Sequence, residues 1–294
     1  MTDQVQSRYG ISTLTRIGQP LETALQRLAE AGWRRLEIMV EDGHRELLDW
    51  SEERLGELER WGERQGIAWS MHAPIHGVNS CSSDPSEVEA GLALLKRAIA
   101  IANRLGASYV VMHPGEYDRP IPDPASDPNG YAEARADCVA RCASYLRRLI
   151  GETGGEEGNP LALENVPPRP DRFGWDCAFL ADAIAASGTS RVRILFDIGH
   201  AHLCGEGHVM NELRKHERLL LGMHISDNRG MKDEHLAVGR GTIPYEGIVA
   251  ALGKAGDRIA WVLETGSEAA ASESLELLDN WRTLHSARGR AKEE

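Results

Sequence analysis

Short runs rich in β-forming residues recur eight times along the chain, each separated from the next by a stretch of helical periodicity. They centre on YGIS (9–12), LEIM (36–39), AWSMH (68–72), YVVMH (109–113), LALE (161–164), RILFD (193–197), LLGMH (220–224) and WVLE (261–264). Strands joined through helices must run parallel, because a parallel pair needs a long crossover. Eight such units in a chain somewhat longer than the roughly 250 residues usual for the fold predict an α/β (β/α)8 TIM barrel, with a doubly wound open sheet as the alternative.

The helical segments carry their own punctuation. Val88, Leu92, Leu95, Ile99, Ala102 and Leu105 recur in steps of three and four and so share one helix face, and Gly106 stops that helix. Pro20 opens the first helix before Leu21, Ala24, Leu25 and Leu28, and Gly32 closes it. Two irregular stretches stand out: 114–130 follows a strand and is a candidate active-site loop, whereas 151–160 follows a helix and reads as a surface connection. The Gly-rich GETGGEEGN lacks the Lys-Ser/Thr pair of a phosphate loop. No repeat, linker or shift in composition divides the chain, so residues 1–294 are read as a single domain.

The way the strands end points to chemistry. His72, His113, Glu164, Asp197, His224 and Glu264 close six successive runs, and in a barrel those C-terminal ends ring one mouth. Imidazoles and carboxylates converging there would repel or stay unsatisfied without a cation, which predicts a bound divalent metal. His200 lies three residues past Asp197 across a turn, and Asp233 and His235 are two apart, a spacing that in an extended segment points both side chains the same way. Mixed histidine and carboxylate donors suit zinc or manganese.

Charge and cysteine usage narrow the partners. With 45 Asp and Glu against 33 Lys and Arg, the formal charge is −12, so neither nucleic acid nor an anionic membrane is an expected partner. No apolar run approaches the roughly 18 to 20 residues of a membrane span. Five cysteines without a CxxC pair, and no charged-then-apolar leader at Met1, predict a reducing, cytoplasmic setting. The sequence carries no signature of oligomeric state.

The series MHAP, VVMHPGE, LALEN, FDIGH, MHISDN, KDEHLAVGRGTI and VLET resembles the xylose isomerase-like TIM barrel superfamily, which includes sugar phosphate isomerases and epimerases and endonuclease IV. The likeness runs from about residue 10 to 278. It implies two extrapolations. In the sugar epimerase branch one metal is held by residues matching Glu164, Asp197, His224 and Glu264, with the two glutamates also moving protons as catalytic base and acid. In endonuclease IV three zinc ions are held by nine residues, matched here by those four together with His72, His113, His200, Asp233 and His235.

The rim weighs toward the first. A nuclease grips phosphates and inserts bulky side chains, yet the loops VEDGHRE, PIHGVNSCSSD, PGEYDRPIPDPASD and TGSEAAASES are acidic or neutral and poor in aromatics. Only NVPPRPDRFGW sets Arg beside Phe and Trp. The expected function is a divalent-metal-dependent isomerase or epimerase of a sugar or sugar phosphate, working by proton transfer beside a metal-polarised carbonyl on a small carbohydrate. The alternative is an endonuclease IV-like zinc phosphodiesterase acting at abasic DNA sites. One to three ions are expected, and His76, Asn165 and Arg229, each next to a ligand motif, are candidate substrate contacts.

Overall fold

A computed structural model describes residues 8–290, with side chains to residue 285. The eight strands are β1 (Tyr9–Ser12), β2 (Arg35–Met39), β3 (Ala68–His72), β4 (Val110–Met112), β5 (Leu161–Glu164), β6 (Val192–Asp197), β7 (Leu220–Ile225) and β8 (Ala260–Leu263). All neighbours are parallel and follow chain order, and Tyr9 pairs with Trp261 to close the barrel. That closure removes the open-sheet alternative. Among the described residues nine α-helices follow the strands: α1 (Leu21–Glu30), α2 (Glu52–Gln65), α3 (Pro85–Arg104), α4 (Pro128–Glu152), α5 (Cys177–Ser187), α6 (Ile198–His202), α7 (His208–His216), α8 (Tyr245–Leu252) and α9 (Glu268–Arg290).

Helix α3 shows how sequence sets each element. The Asp84 carboxylate accepts from Ser86 N at 2.8 Å, Pro85 supplies a first-turn φ, and Leu92, Leu95, Ala98, Ile99 and Ala102 bury one face. Gly106, at φ 66°, then lets the chain leave. Two boundaries differ from the sequence reading. The stretch 151–160 is partly ordered, since α4 continues through Glu152 and a 3-10 turn covers Gly155–Glu157. The loop beginning at 114 ends early, because Asp127 accepts from Gly130 N at 2.9 Å and Pro128 starts α4.

Period-two alternation sorts the lumen into layers. Tyr109, Val111, Ala162 and Leu195 form a small apolar cluster separate from the main core between strands and helices. Two residues beyond Val111, Ala162 and Leu195 on the same faces stand His113, Glu164 and Asp197, so these three apolar residues are each followed by a polar one nearer the mouth. The lower layer seals the barrel beneath the polar one. Among the described residues no helix is long and apolar enough to cross a membrane, and all five cysteines are free.

Candidate metal centre

Adjacent strand ends build the centre of the mouth. Register pairs Asp197 with His224 across β6 and β7, while Glu164 ends β5 and Glu264 follows β8 by one residue. Ligand atoms of Glu164, Asp197, His224 and Glu264 all lie within 4.8 Å of one another, and all four residues are buried. His224 Nδ1 sits 2.9 Å from Glu164 Oε1 and 3.2 Å from Glu264 Oε2. Its Nε2 is 2.7 Å from Glu37 Oε1, and Ser70 Oγ donates to Glu37 Oε2 at 2.9 Å. Glu37, in the middle of β2, thereby fixes which imidazole nitrogen faces the cluster.

A second group shares Glu164. Its Oε2 lies 3.0 Å from His72 Nε2 and 3.2 Å from His113 Nε2, and these three residues also hold ligand atoms within 4.8 Å. His72 Nδ1 donates to the Ala73 carbonyl at 2.8 Å, leaving Nε2 to face the carboxylate. A third group gathers on Asp233, whose Oδ2 is 3.3 Å from His200 Nε2 and 2.9 Å from His235 Nε2. His200 Nδ1 donates to Asn165 O at 2.8 Å and His235 Nδ1 to Glu264 O at 2.6 Å. Thus four imidazoles each spend one ring nitrogen on a carbonyl or carboxylate and turn the other inward, the arrangement that orients metal-binding histidines.

Asp233 and His235 meet by a turn, whereas the sequence suggested extension. His235 has φ 48°, a left-handed conformation uncommon for a residue with a Cβ. Asp227 holds that loop in shape: its carboxylate accepts from the backbone N–H groups of Asn228, Gly239, Gly241 and Ile243 at 2.9–3.2 Å. Gly241 is required there, since a Cβ would come within 2.2 Å of Asp227 Oδ1 and 2.3 Å of Asn228 O.

The charges are arranged for a cation. Burial lifts the Asp197 carboxyl to about 6 despite His200 nearby. Burial also opposes ionisation of Glu264, but the neighbouring His224 brings it down to about 2. For His200, burial alone would lower the pKa; Asp197, Asp233 and Glu164 overcome it and carry the ring up to about 10, and Asp233 with Glu264 likewise carries His235 to about 9. Burial and its neighbour His72 leave His113 below its usual value although Glu164 faces it. Asp197 Oδ2, Asp233 Oδ1 and Glu264 Oε1 are buried with no hydrogen-bond partner. Buried imidazoles and carboxylates with such spare oxygens could hold a metal ion.

Metal-stripped protein titrated with zinc at pH 7 is therefore expected to release protons, because His200 and His235 are held protonated and must lose a proton to bind. Affinity should climb as pH rises toward 9 and fall on acidification. Linkage to the folded state should raise Tm by about 5 °C once zinc is well above its Kd. Calorimetry in buffers of different ionisation heat, with a thermal melt, checks both; no proton release and no Tm gain would contradict the assignment.

The three expected substrate contacts are placed differently. Asn165 is fully buried and its amide bonds the Asp197 backbone, donating to its O at 3.0 Å and accepting from its N at 2.7 Å, so it braces β5 against β6. Arg229 pairs with Glu234, its Nη1 2.7 Å from Oε1 and its backbone N 3.0 Å from Oε2, a contact that shapes the loop. His76 is largely exposed; Glu41 binds its ring Nδ1 at 3.2 Å and its backbone N at 2.7 Å. His76 lies on the wall of a cavity of about 580 Å³ that also touches His113, Asn79, Gly115, Val166 and Arg169. Glu37, Glu41 and Asp227 were missed by sequence reasoning; for Glu37 the available signal was a carboxylate inside an otherwise apolar strand.

Comparison with known proteins bears on the fold and the family. An uncharacterized protein of Methanocaldococcus jannaschii is 24% identical over 239 residues, covering 81% of this chain and 76% of its own. A probable endonuclease 4 of Thermotoga maritima is 25% identical over 235 residues, covering 73% of this chain and 76% of its own. The crystal structure of a D-tagatose 3-epimerase-like protein superposes with a TM-score of 0.81 at 23% identity, covering 96% of this chain and 99% of that one. Residues 25–281 match the sequence family described as xylose isomerase-like TIM barrel, and the chain belongs to that family.

Proposed function

We propose that the protein is a divalent-metal-dependent isomerase or epimerase of a sugar or sugar phosphate. The observation that carries this reading is the buried convergence of Glu164, Asp197, His224 and Glu264 at the barrel mouth, beside a cavity of about 580 Å³, a size suited to a monosaccharide. A bound zinc or manganese ion would be held by these four residues and would polarise a substrate carbonyl, acidifying the neighbouring carbon. The chain's part is to move the proton. Glu264 keeps Oε1 free of partners while Oε2 faces His224, which suits it to carry a proton; Glu164 approaches from β5 and is the candidate opposite group. Similarity to a D-tagatose 3-epimerase-like structure supports the carbohydrate reading.

The contacts of Asp233 with both His200 and His235, together with the endonuclease 4 relative, favour a second reading: a three-zinc phosphodiesterase acting at abasic DNA sites. Asp233→Ala and His235→Ala separate the two. On the sugar reading both variants keep the central ion, and exchange of a substrate carbon-bound proton with D2O stays within about tenfold of wild type, the residual loss reflecting loop positioning. The unmodified protein should leave a duplex with an abasic site uncut. Efficient metal-dependent incision, crippled by the same loop changes, would reverse the ranking. Metal counting on each variant, proton NMR over a panel of ketoses and ketose phosphates, and a gel assay supply the measurements.

A further inference from the structure

Arginines are the commonest cation of this chain, and most of those near the mouth are committed. Arg172, on the cavity wall, is ion-paired with Glu116 and Asp171; Arg141 pairs with Asp118 and Asp137; Arg45 donates to the His76 carbonyl at 2.9 Å. The cavity acids are likewise occupied, Glu116 by Arg172 and Glu87 by Ser82 Oγ at 2.8 Å. Arg169 differs. It lines the same cavity as His113, is exposed, and its side chain makes no hydrogen bond or ion pair among the described residues. It therefore balances no acid of the wall.

The segment presenting Arg169 is stiff. Pro167, Pro168 and Pro170 surround it, fixing φ at three of four positions and restricting Arg169 itself to extended backbone. Val166 N donates to Gly174 O at 3.0 Å, Tyr117 N to Asp171 O at 2.8 Å, and the Phe173 ring packs against Tyr117, Tyr131 and Phe179. A side chain held on so rigid a support loses little freedom on binding. Across the cavity Asn79 Oδ1 accepts from Cys81 N and Glu116 N, both at 3.0 Å, which fixes its amide and leaves Nδ2 as an unused donor.

We propose that Arg169 is the anchor for a terminal anionic group of the substrate, a phosphate or a carboxylate, carried at the end remote from the reacting carbon. The guanidinium fork matches either group bidentately, and the cavity reaching His113 has room for a sugar with such a terminus. This inference rests on the sugar reading for its substrate, but the anion site can be tested without turnover.

Metal-loaded wild type, Arg169→Ala and Arg169→Lys are titrated with glycerol 3-phosphate, glycerate and glycerol. Wild type should bind one of the two anions in preference to glycerol, and the choice identifies the terminus; Arg169→Ala should weaken that binding about 10- to 100-fold, with Arg169→Lys between. In the exchange assay the kcat/KM ratio of the anionic sugar to its neutral counterpart should collapse in Arg169→Ala. Equal anion binding by wild type and Arg169→Ala, or no preference of wild type for an anion over glycerol, overturns the proposal. Arg169-dependent anion binding without exchange on any sugar would sustain the anion site while sinking the sugar reading.

Discussion

Glu164→Gln is expected to lower solvent exchange of a substrate carbon-bound proton by about a thousandfold or more and to strip metal from the protein. One carboxylate meets three imidazoles here: Oε2 faces His72 at 3.0 Å and His113 at 3.2 Å, and Oε1 faces His224 at 2.9 Å. A glutamine keeps the shape but removes the charge and turns one acceptor into an N–H donor. The buried site then loses the negative charge that all three imidazoles, and a bound cation, face. Glu264→Gln makes the contrast. Only its Oε2 touches His224, so the variant should lose exchange by a similar factor while keeping more of its metal. Proton NMR in D2O and elemental analysis of both variants decide the matter; exchange within tenfold of wild type in either would sink the assignment of that glutamate.

That contrast concerns residues legible in the sequence, and the reason is geometric. A strand has period two, so an apolar lumen residue followed two positions later by a ligand type, as in Val111 and His113, Ala162 and Glu164, or Leu195 and Asp197, advertises both a buried lower layer and a polar mouth. The metal-type residues therefore stand out in the sequence, even though His113 and Glu264 fall one residue beyond their strands. Adjacency to a ligand does not by itself say what a side chain touches. Asn165 follows Glu164 directly, but consecutive strand residues point to opposite faces, and its amide ends on the neighbouring strand. For Arg229 the deciding partner, Glu234, is five residues away along a loop whose turn is set by Asp227 through four backbone N–H groups, a tertiary effect without a local pattern.

Glu37 is the clearest case of a residue that only register makes visible, and its replacement carries the second large expected effect. Its Oε1 receives His224 Nε2 at 2.7 Å and its Oε2 receives Ser70 Oγ at 2.9 Å, all within the sealed lumen. Against burial, Glu264, Glu164 and Glu37 together favour the protonated ring, so metal binding must displace one proton; Glu37 then keeps the remaining one on Nε2 and leaves the Nδ1 lone pair toward Glu164, Asp197 and Glu264. Without Glu37 the two carboxylates at 2.9 and 3.2 Å from Nδ1 favour the opposite tautomer, with a proton where a metal must bind. Glu37→Leu is thus expected to weaken metal binding about 10- to 100-fold, and Glu37→Gln, whose carbonyl can still accept from Nε2, to fall between. Glu37 touches no substrate and acts through His224, so its signature differs from that of Glu164: exchange should recover as metal is added in excess. Ring-nitrogen NMR of His224 in metal-stripped protein, at a pH high enough to give the neutral ring, should show the proton on Nδ1 in Glu37→Leu and on Nε2 in Glu37→Gln. Wild-type metal affinity in a folded Glu37→Leu protein would show that the Glu164, Asp197 and Glu264 carboxylates alone hold His224 in its ligating form.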